Sequence, residues 1–117
     1  MEQVTAPRKP RRRIVTDADG LARLIESAAH WARLATGTWG EDENISEESC
    51  ACCARWIRGR CRGCPIAANT GRHCIGSPYQ RAVDAADNHD FDSPQFRLAA
   101  RAMLRYLLRL AARVEVE

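Results

Sequence analysis

Six cysteines lie within a 25-residue segment of this 117-residue chain, from Cys50 to Cys74. They include two Cys-x-x-Cys units, whose two intervening residues let both thiolates point at one centre. Two such units can complete a tetrahedral site for a metal ion. The segment therefore predicts a metal centre around which the rest of the chain must fold. The candidate metal ligands are Cys50, Cys53, Cys61, Cys64 and Cys74.

The spacing leaves open which four of these cysteines hold the metal. Only seven residues separate the two units, which is shorter than the usual span between the two pairs of a zinc ribbon. Cys74 is therefore a credible fourth ligand in place of Cys61 or Cys50. Cys52 lies within the first unit, and in a helix it would point away from both of its members. We expect Cys52 to be a small, buried apolar residue.

Zinc is the metal that the pattern favours, and an iron–sulfur cluster is the main alternative. Structural zinc commonly has four cysteine ligands, and nearby arginines would offset the charge of the thiolates. The Cys64-Pro65 pair also suits an iron–sulfur cluster, but the compact C-x2-C-x2-C-x3-C-P run of bacterial ferredoxins is absent. Disulfides are disfavoured because the N-terminal residues include no apolar export signal. Free structural cysteines would not cluster so closely.

Two long helices are predicted on either side of the cysteine segment. Apolar residues recur with a period of 3.6 residues over about residues 18–35 and 95–113. Thr16 or Asp17 can cap the first helix, and Ser93, which is followed by a proline, is a strong start signal for the last one. The lone histidine of the first helix is expected to be structural.

Two shorter helices are predicted over about residues 50–57 and after Pro78, and no segment alternates like a β-strand. The expected fold class is mainly α, a small helical domain of three to four helices around a cysteine-ligated metal loop at about residues 49–79. Residues 1–15 are predicted to form a flexible basic arm, and 16–117 a single metal-binding domain. Because only 6% of the residues are aromatic, the core will be thin. We expect the metal to supply much of the stability.

Arginine accounts for 17 of the 18 basic residues, and its guanidinium group recognises phosphates and carboxylates in a bidentate fork. Three basic surfaces are predicted: the N-terminal arm, the metal loop and the last helix, where arginine recurs every fourth residue. The arm is equally well explained as a solvated tail. The helical row is equally well explained by ion pairs with the acidic segments 41–48 and 84–92. The candidate binding residues are Arg11, Arg12, Arg13, Arg58, Arg60, Arg62, Arg97, Arg101, Arg105 and Arg109.

No catalytic motif accompanies these features. The sequence has no nucleophile with a base at readable spacing, no Gly-rich phosphate loop and no H-E-x-x-H run. We therefore expect a binding protein and not an enzyme. A basic surface without a recognition motif favours binding to the phosphate backbone of nucleic acid, alone or within a nucleoprotein complex.

The cysteine segment contains three short units in a fixed order. They are Cys50-x-x-Cys53, Cys61-x-Gly63-Cys64-Pro65 and Cys74-x-Gly76-Ser77-Pro78-Tyr79. In this order the segment resembles small uncharacterised cysteine-rich proteins encoded by bacteriophages and prophages, in which the last unit has Ser or Thr before the proline. The resemblance covers about residues 49–79, and Cys52 is an addition to the pattern. It implies a metal site and a phage origin.

A phage origin adds a second functional hypothesis, an inhibitor that binds a host protein such as a defence complex of the anti-CRISPR kind. A third hypothesis is an iron–sulfur redox or sensor protein. No run approaches the roughly 18 uncharged apolar residues that a membrane span requires. We therefore expect a protein of the bacterial host cytoplasm.

Overall fold

The computed structural model describes residues 13–41, 43–45, 50–71, 74 and 76–117. This part of the chain is mainly helical, as the sequence predicts. Two long helices form its first and last thirds, and short helices and loops join them. The helices are α1 (Ala18–Thr36), α2 (Ala51–Trp56), α3 (Pro65–Thr70), α4 (Tyr79–Asn88) and α5 (Pro94–Arg113), with a 3₁₀ turn over Ile57–Gly59 between α2 and α3.

Helix α1 begins and ends where the sequence predicts. The Asp17 carboxylate caps the helix by accepting a hydrogen bond from the Gly20 N–H at 2.8 Å. Gly37 ends the helix in the left-handed conformation, with a φ of 76°, and its N–H binds the Arg33 carbonyl. Another residue at this position would be strained by that φ, and its Cβ would collide with the guanidinium of Arg97.

The other predicted helix starts are also confirmed. Ser93 caps α5, its hydroxyl accepting from the Phe96 N–H at 3.1 Å, and Pro94 occupies the first turn. Cys50 caps α2, and α4 follows directly after Pro78. Side-chain capping therefore accounts for where α2 and α5 begin, whereas α4 has no side-chain capping hydrogen bond.

The core lies mainly between α1 and α5, which pack along much of their length. Leu24 and Leu34 of α1 and Phe96 and Leu107 of α5 have no exposed surface. Helix α4 packs against α5, and its Ala82 is fully buried. The two apolar stripes predicted by the 3.6-residue period are the two faces that meet here.

The structure contains one short strand pair that the sequence pattern did not predict. Val15–Thr16 (β1) pairs in parallel with Glu115–Val116 (β2). Ile14 is buried beside this pair, and Arg13 forms an ion pair with Glu115. Three residues that the sequence assigned to the basic arm, 13–15, therefore belong to the folded domain. Two-residue strands contain no alternation that a sequence pattern can reveal.

The described part contains five helices where the sequence predicted three to four. The additional helix, α3, has six residues, with Pro65 at its first position and Gly71 ending it in the left-handed conformation. Proline and glycine in these places are the usual signals for a helix start and end. The short length of α3 explains why no apolar period revealed it.

The outer face of α5 is exposed to solvent and includes Arg101, Arg105 and Arg109. Leu98 and Leu108 also lie on the surface of this helix. None of the described helices is both long and apolar enough to cross a membrane.

Replacing Leu107 by Ala should lower the free energy of unfolding by about 2–5 kcal/mol, because it removes a fully buried side chain and leaves a cavity. The neighbouring Leu108 is 52% exposed, so Leu108→Ala should change it by no more than about 0.5 kcal/mol. Urea unfolding followed by circular dichroism measures both values. Equal losses of stability in the two variants would contradict this packing of α5.

Candidate metal centre

Four cysteines border one cavity of about 200 Å³ that is partly open to solvent. Cys50 and Cys53 come from the start of α2, Cys61 from the turn after the 3₁₀ segment, and Cys74 from the region before α4. The rest of the wall is largely apolar. It consists of Ser27, His30, Trp31, Ile45, Ile57, Ile66, Tyr79, Met103 and Leu107.

Cys61 reaches the cavity because the chain makes an unusual turn after α2. Arg60 and Cys61 are consecutive non-glycine residues in the left-handed region, with φ values of 56° and 63°. The Cys61 N–H binds the Trp56 carbonyl at 2.8 Å, and the Arg60 N–H binds that of Ile57 at 3.1 Å. These are the two hydrogen bonds of a Schellman motif, in which glycine usually occupies the place of Arg60. Each left-handed residue costs about 1–3 kcal/mol, so the surrounding structure must support this turn.

The cavity thiols differ in how readily they ionise. The pKa of Cys50 is lowered to about 2, mainly by contacts with the Cys52 and Cys53 thiols. The Cys53 N–H, which lies 3.4 Å from the Cys50 sulfur, acts in the same direction. The contact with Cys50 raises the pKa of Cys53, and burial of Cys53 raises it further. Burial raises the pKa of Cys74 to about 12. The group therefore holds one thiolate readily, and a bound cation would have to displace the protons of the others.

Cys52 and Cys64 are two buried cysteines in contact that do not border the cavity, although Cys52 also contacts Cys50. They are 2% and 5% exposed, and the Ser27 hydroxyl donates to the Cys52 sulfur at 3.6 Å. The contact of Cys52 with Cys50 raises the pKa of Cys52, and its contact with Cys64 raises that pKa as well. The same Cys52–Cys64 contact lowers the pKa of Cys64 to about 7. Cys52 is buried, as we expected, but the expectation that it points away from Cys50 is wrong, because the two thiols are in contact. Of the five predicted ligands, Cys64 alone does not border the cavity, and Cys52 links it to Cys50.

The Cys50 and Cys53 thiols contact each other, but the four cysteines that border the cavity do not form a ready metal site. Within the described ranges, no three histidine, cysteine, aspartate or glutamate side chains form a group that could hold a metal ion as they stand. The predicted ligands are thus brought to one place, while the kind of metal centre that they form stays a prediction.

His30 is a cavity residue that the sequence pattern indicated to be structural only. It is 5% exposed, and its Nδ1 lies 3.0 Å from a Glu43 carboxylate oxygen. That carboxylate also accepts from Arg33 Nε at 2.7 Å and from the Gly40 N–H at 2.7 Å. A carboxylate behind a histidine is the arrangement that orients metal-ligating histidines. The link is invisible in the sequence because it passes through Glu43, 13 residues away.

Two of the predicted basic surfaces are partly accounted for by ion pairs. Arg13 of the arm binds Glu115, with its Nε 2.7 Å from the carboxylate. Arg11 and Arg12 lie outside the described residues. In α5, Arg97 binds Asp92, with its Nε 3.0 Å from the carboxylate.

Three further arginines of the α5 row, Arg101, Arg105 and Arg109, are not paired in this way. Arg109 donates to the Arg105 carbonyl at 3.3 Å. The side chains of Arg101, Arg105 and Arg109 have no carboxylate within 4 Å among the residues that the structure describes. Internal ion pairs therefore explain Arg97 but not these three arginines.

Arg58, Arg60 and Arg62 are exposed together on the turn after α2, where they line a shallow depression with Gly59. We call these three arginines the basic loop. None of them has a carboxylate within 4 Å in the described part of the chain. Arg55, one turn earlier, instead binds two carboxylates at the start of α1 and lies over the Trp56 ring. The basic loop is therefore the compact group of arginines that internal ion pairs leave uncompensated.

The fold and the cavity define a small helical protein with a cysteine-lined centre. No protein family, curated protein or solved structure matches this chain. The resemblance to phage proteins therefore stays a prediction that rests on the cysteine segment.

Replacing Glu43 by Gln should lower stability near neutral pH and have little effect in acid. Arg33, and to a smaller extent His30, lower the pKa of Glu43 to about 2 although partial burial raises it. A carboxylate whose folded-state pKa lies below its ordinary value of about 4.3 contributes stability above that value. This contribution disappears as the pH falls towards about 2.

Urea unfolding of both proteins at a series of pH values measures the difference, which should narrow as the pH falls from about 4.3. Glu41→Gln is the matched control, because Glu41 is exposed and has no ion pair with a described residue. A wild-type advantage over Glu43→Gln that is independent of pH would contradict this assignment.

Proposed function

We propose that this chain is a metal-stabilised, non-enzymatic binding protein that holds nucleic acid by its phosphates. The observation that supports the proposal best is the basic loop. Its three exposed arginines have no carboxylate partner in the described part of the chain, and the turn that presents them also directs Cys61 into the cavity.

The turn connects the candidate metal centre to the candidate binding surface. Arg60 occupies the left-handed position of the Schellman motif, and Cys61 follows it directly. A metal bound to the Cys61 sulfur would hold this turn in place. Arginines that are already ordered lose less conformational entropy when they bind a ligand, so the metal would favour binding without touching the ligand.

Nucleic acid suits the basic loop because of its regularly repeated charge. Guanidinium groups bind phosphate oxygens in a bidentate fork, and three arginines within five residues can follow successive phosphates of one backbone. Phosphate contacts of this kind position a protein without reading the base sequence. The expected binding is therefore independent of sequence and sensitive to salt.

The cavity supplies the ligands of a thiophilic metal. Thiolate ligands select zinc, copper(I) or iron–sulfur centres over the harder cations that prefer oxygen. The metal has a structural role in this proposal, since it ties the start of α2, the basic loop and the region before α4 to one centre.

Removing the metal should unfold the cysteine segment before the long helices. A structural metal contributes on the order of 10 kcal/mol to the folding of a small domain. Residues 50–71 depend on the centre, whereas α1 and α5 have their own apolar interface. Hydrogen exchange before and after chelation should show the larger decrease in protection in 50–71. A cooperative melt and exchange pattern that survive verified metal removal would refute this role.

Replacing Arg58 and Arg62 by Gln should weaken binding to duplex DNA and flatten its salt dependence. The logarithmic slope should fall by about 0.9 for each phosphate that the protein no longer neutralises. Fluorescence anisotropy of a labelled duplex at several salt concentrations measures both effects. Stability should not change, because both side chains are exposed and have no carboxylate partner among the described residues.

The matched control is Arg101→Gln with Arg105→Gln, which removes the same net charge from the exposed face of α5. The basic loop is the binding surface if the loop variant shows the larger decrease in affinity and in salt slope. Equal decreases in the two variants would show that net charge, and not the loop, drives binding. Absence of binding by the wild-type protein at low salt would refute the proposed function itself.

A further inference from the structure

The exposed face of α5 includes a line of side chains that the proposed function does not use. Its members recur at alternating intervals of three and four residues, and all of them are exposed. This alternation is the spacing by which one helix contacts another along a seam. We call these residues the α5 stripe; they are Leu98, Arg101, Arg105, Leu108 and Ala112.

The α5 stripe combines aliphatic and positively charged groups. Leu98 and Leu108 are 57% and 52% exposed. A single exposed leucine is ordinary, but these two lie on one line with Arg101 and Arg105 between them. The two arginines have no carboxylate within 4 Å in the described part of the chain. A helix surface that only has to be soluble usually mixes both signs of charge, and the stripe includes no acidic residue.

The length and relief of the stripe suit a partner helix. From Leu98 to Ala112 it extends about 21 Å, or about four helical turns. Leu98 lines a shallow depression at one end, and Ala112 lines a second depression at the other. Asp92 also borders the first depression, but Arg97 binds its carboxylate. Such depressions accept the side chains of a helix that packs across them.

The chemistry of the stripe selects an acidic, amphipathic partner. The arginines need carboxylates or phosphates, whereas the leucines gain only from burial against apolar groups. Nucleic acid would satisfy the arginines and leave Leu98 and Leu108 without an apolar partner. A two-fold contact between the stripes of two copies is unfavourable, because Arg105 lies at the middle of the stripe and would face its own copy.

We infer that the α5 stripe docks an acidic helix of another protein, with leucine at the two outer contact positions and glutamate or aspartate at the two inner ones. Carboxylates of the partner bind Arg101 and Arg105, and its leucines pack against Leu98 and Leu108. The order leucine, arginine, arginine, leucine is the same in both directions, so one partner pattern fits either orientation. A seam this short falls among interfaces below about 1,200 Å², which bind weakly and reversibly.

A synthetic helical peptide of about three heptads tests the inference. It has Leu, Glu, Glu and Leu at successive positions of the same three-and-four spacing. Fluorescence anisotropy of the labelled peptide with the full chain measures its affinity, which should decrease as salt is added. A peptide with Gln in place of the two Glu, and another with Ala in place of the two Leu, should each bind about tenfold more weakly.

Two variants remove the charged and the apolar half of the stripe separately. Arg101→Gln with Arg105→Gln should weaken binding of the peptide about tenfold and flatten its salt dependence. Leu98→Ala with Leu108→Ala should weaken it by a similar factor and leave the salt dependence unchanged. All four side chains are exposed, so both variants should fold, which circular dichroism checks.

The basic loop provides the matched control. Arg58→Gln with Arg62→Gln removes the same net charge as the arginine variant of the stripe, and it should bind the peptide as the wild-type protein does. Equal weakening in these two variants would show unspecific attraction of charge and overturn the inference. A peptide affinity that does not depend on the leucines of the stripe would overturn it as well.

The other occupants of the stripe give different results. Loss of duplex DNA binding in the stripe variants, with no binding of the peptide to the wild-type protein, would assign the stripe to nucleic acid and overturn the inference. Self-association of the chain in sedimentation velocity that Leu98→Ala with Leu108→Ala abolishes would assign the stripe to a second copy and overturn it too. Peptide binding in a protein that does not bind DNA would refute the proposed function and support this inference, because the two use different surfaces.

Discussion

The packing of α1 against α5 is the interaction on which the rest of this structure depends. It joins the first and last thirds of the chain, and the parallel pair of β1 and β2 continues the contact beyond the helix ends. The cysteine segment between them has only the short helices α2 and α3. Isolated helices of this length are marginal in water. The apolar residues of the segment therefore stabilise it only in part. A metal centre that joins Cys50, Cys53, Cys61 and Cys74 would supply the remaining stability.

A single turn determines both candidate sites. In the Schellman motif after α2, Arg60 occupies the place that glycine usually takes, and Cys61 follows in the same left-handed region. The first residue belongs to the exposed basic loop, and the second borders the cavity. A glycine at position 60 would relieve the backbone and remove one of the three guanidinium groups. The arginine at this position is consistent with a turn that serves binding at some cost in stability.

Much of the fold could be predicted from local signals. The 3.6-residue period located α1 and α5, and Asp17, Gly37 and Ser93 mark helix ends through capping chemistry that operates within a few residues. The cysteine spacing predicted the cluster but not its division into four cavity thiols and the Cys52–Cys64 pair. That division depends on the left-handed turn at Cys61, which no residue-type preference predicts. The parallel strands and the contact of His30 with Glu43 join residues far apart in sequence, so local patterns could not reveal them.

The two candidate sites share a backbone turn, but their charges interact only weakly. A centre with four thiolates is negative and attracts nearby guanidinium groups, which would be a reason to doubt that the basic loop is available to another anion. Arg58, Arg60 and Arg62 are exposed, however, and water at the surface reduces such attraction to about 1 kcal/mol for a pair of charges 4 Å apart. An approaching polyanion offers several phosphates at once, and its binding releases counterions. The attraction of a single centre for the arginines has no such additional contribution. In the proposed metal-bound protein, the coupling between the centre and the loop would therefore be mechanical: the centre would fix where the arginines lie and leave their charges largely uncompensated.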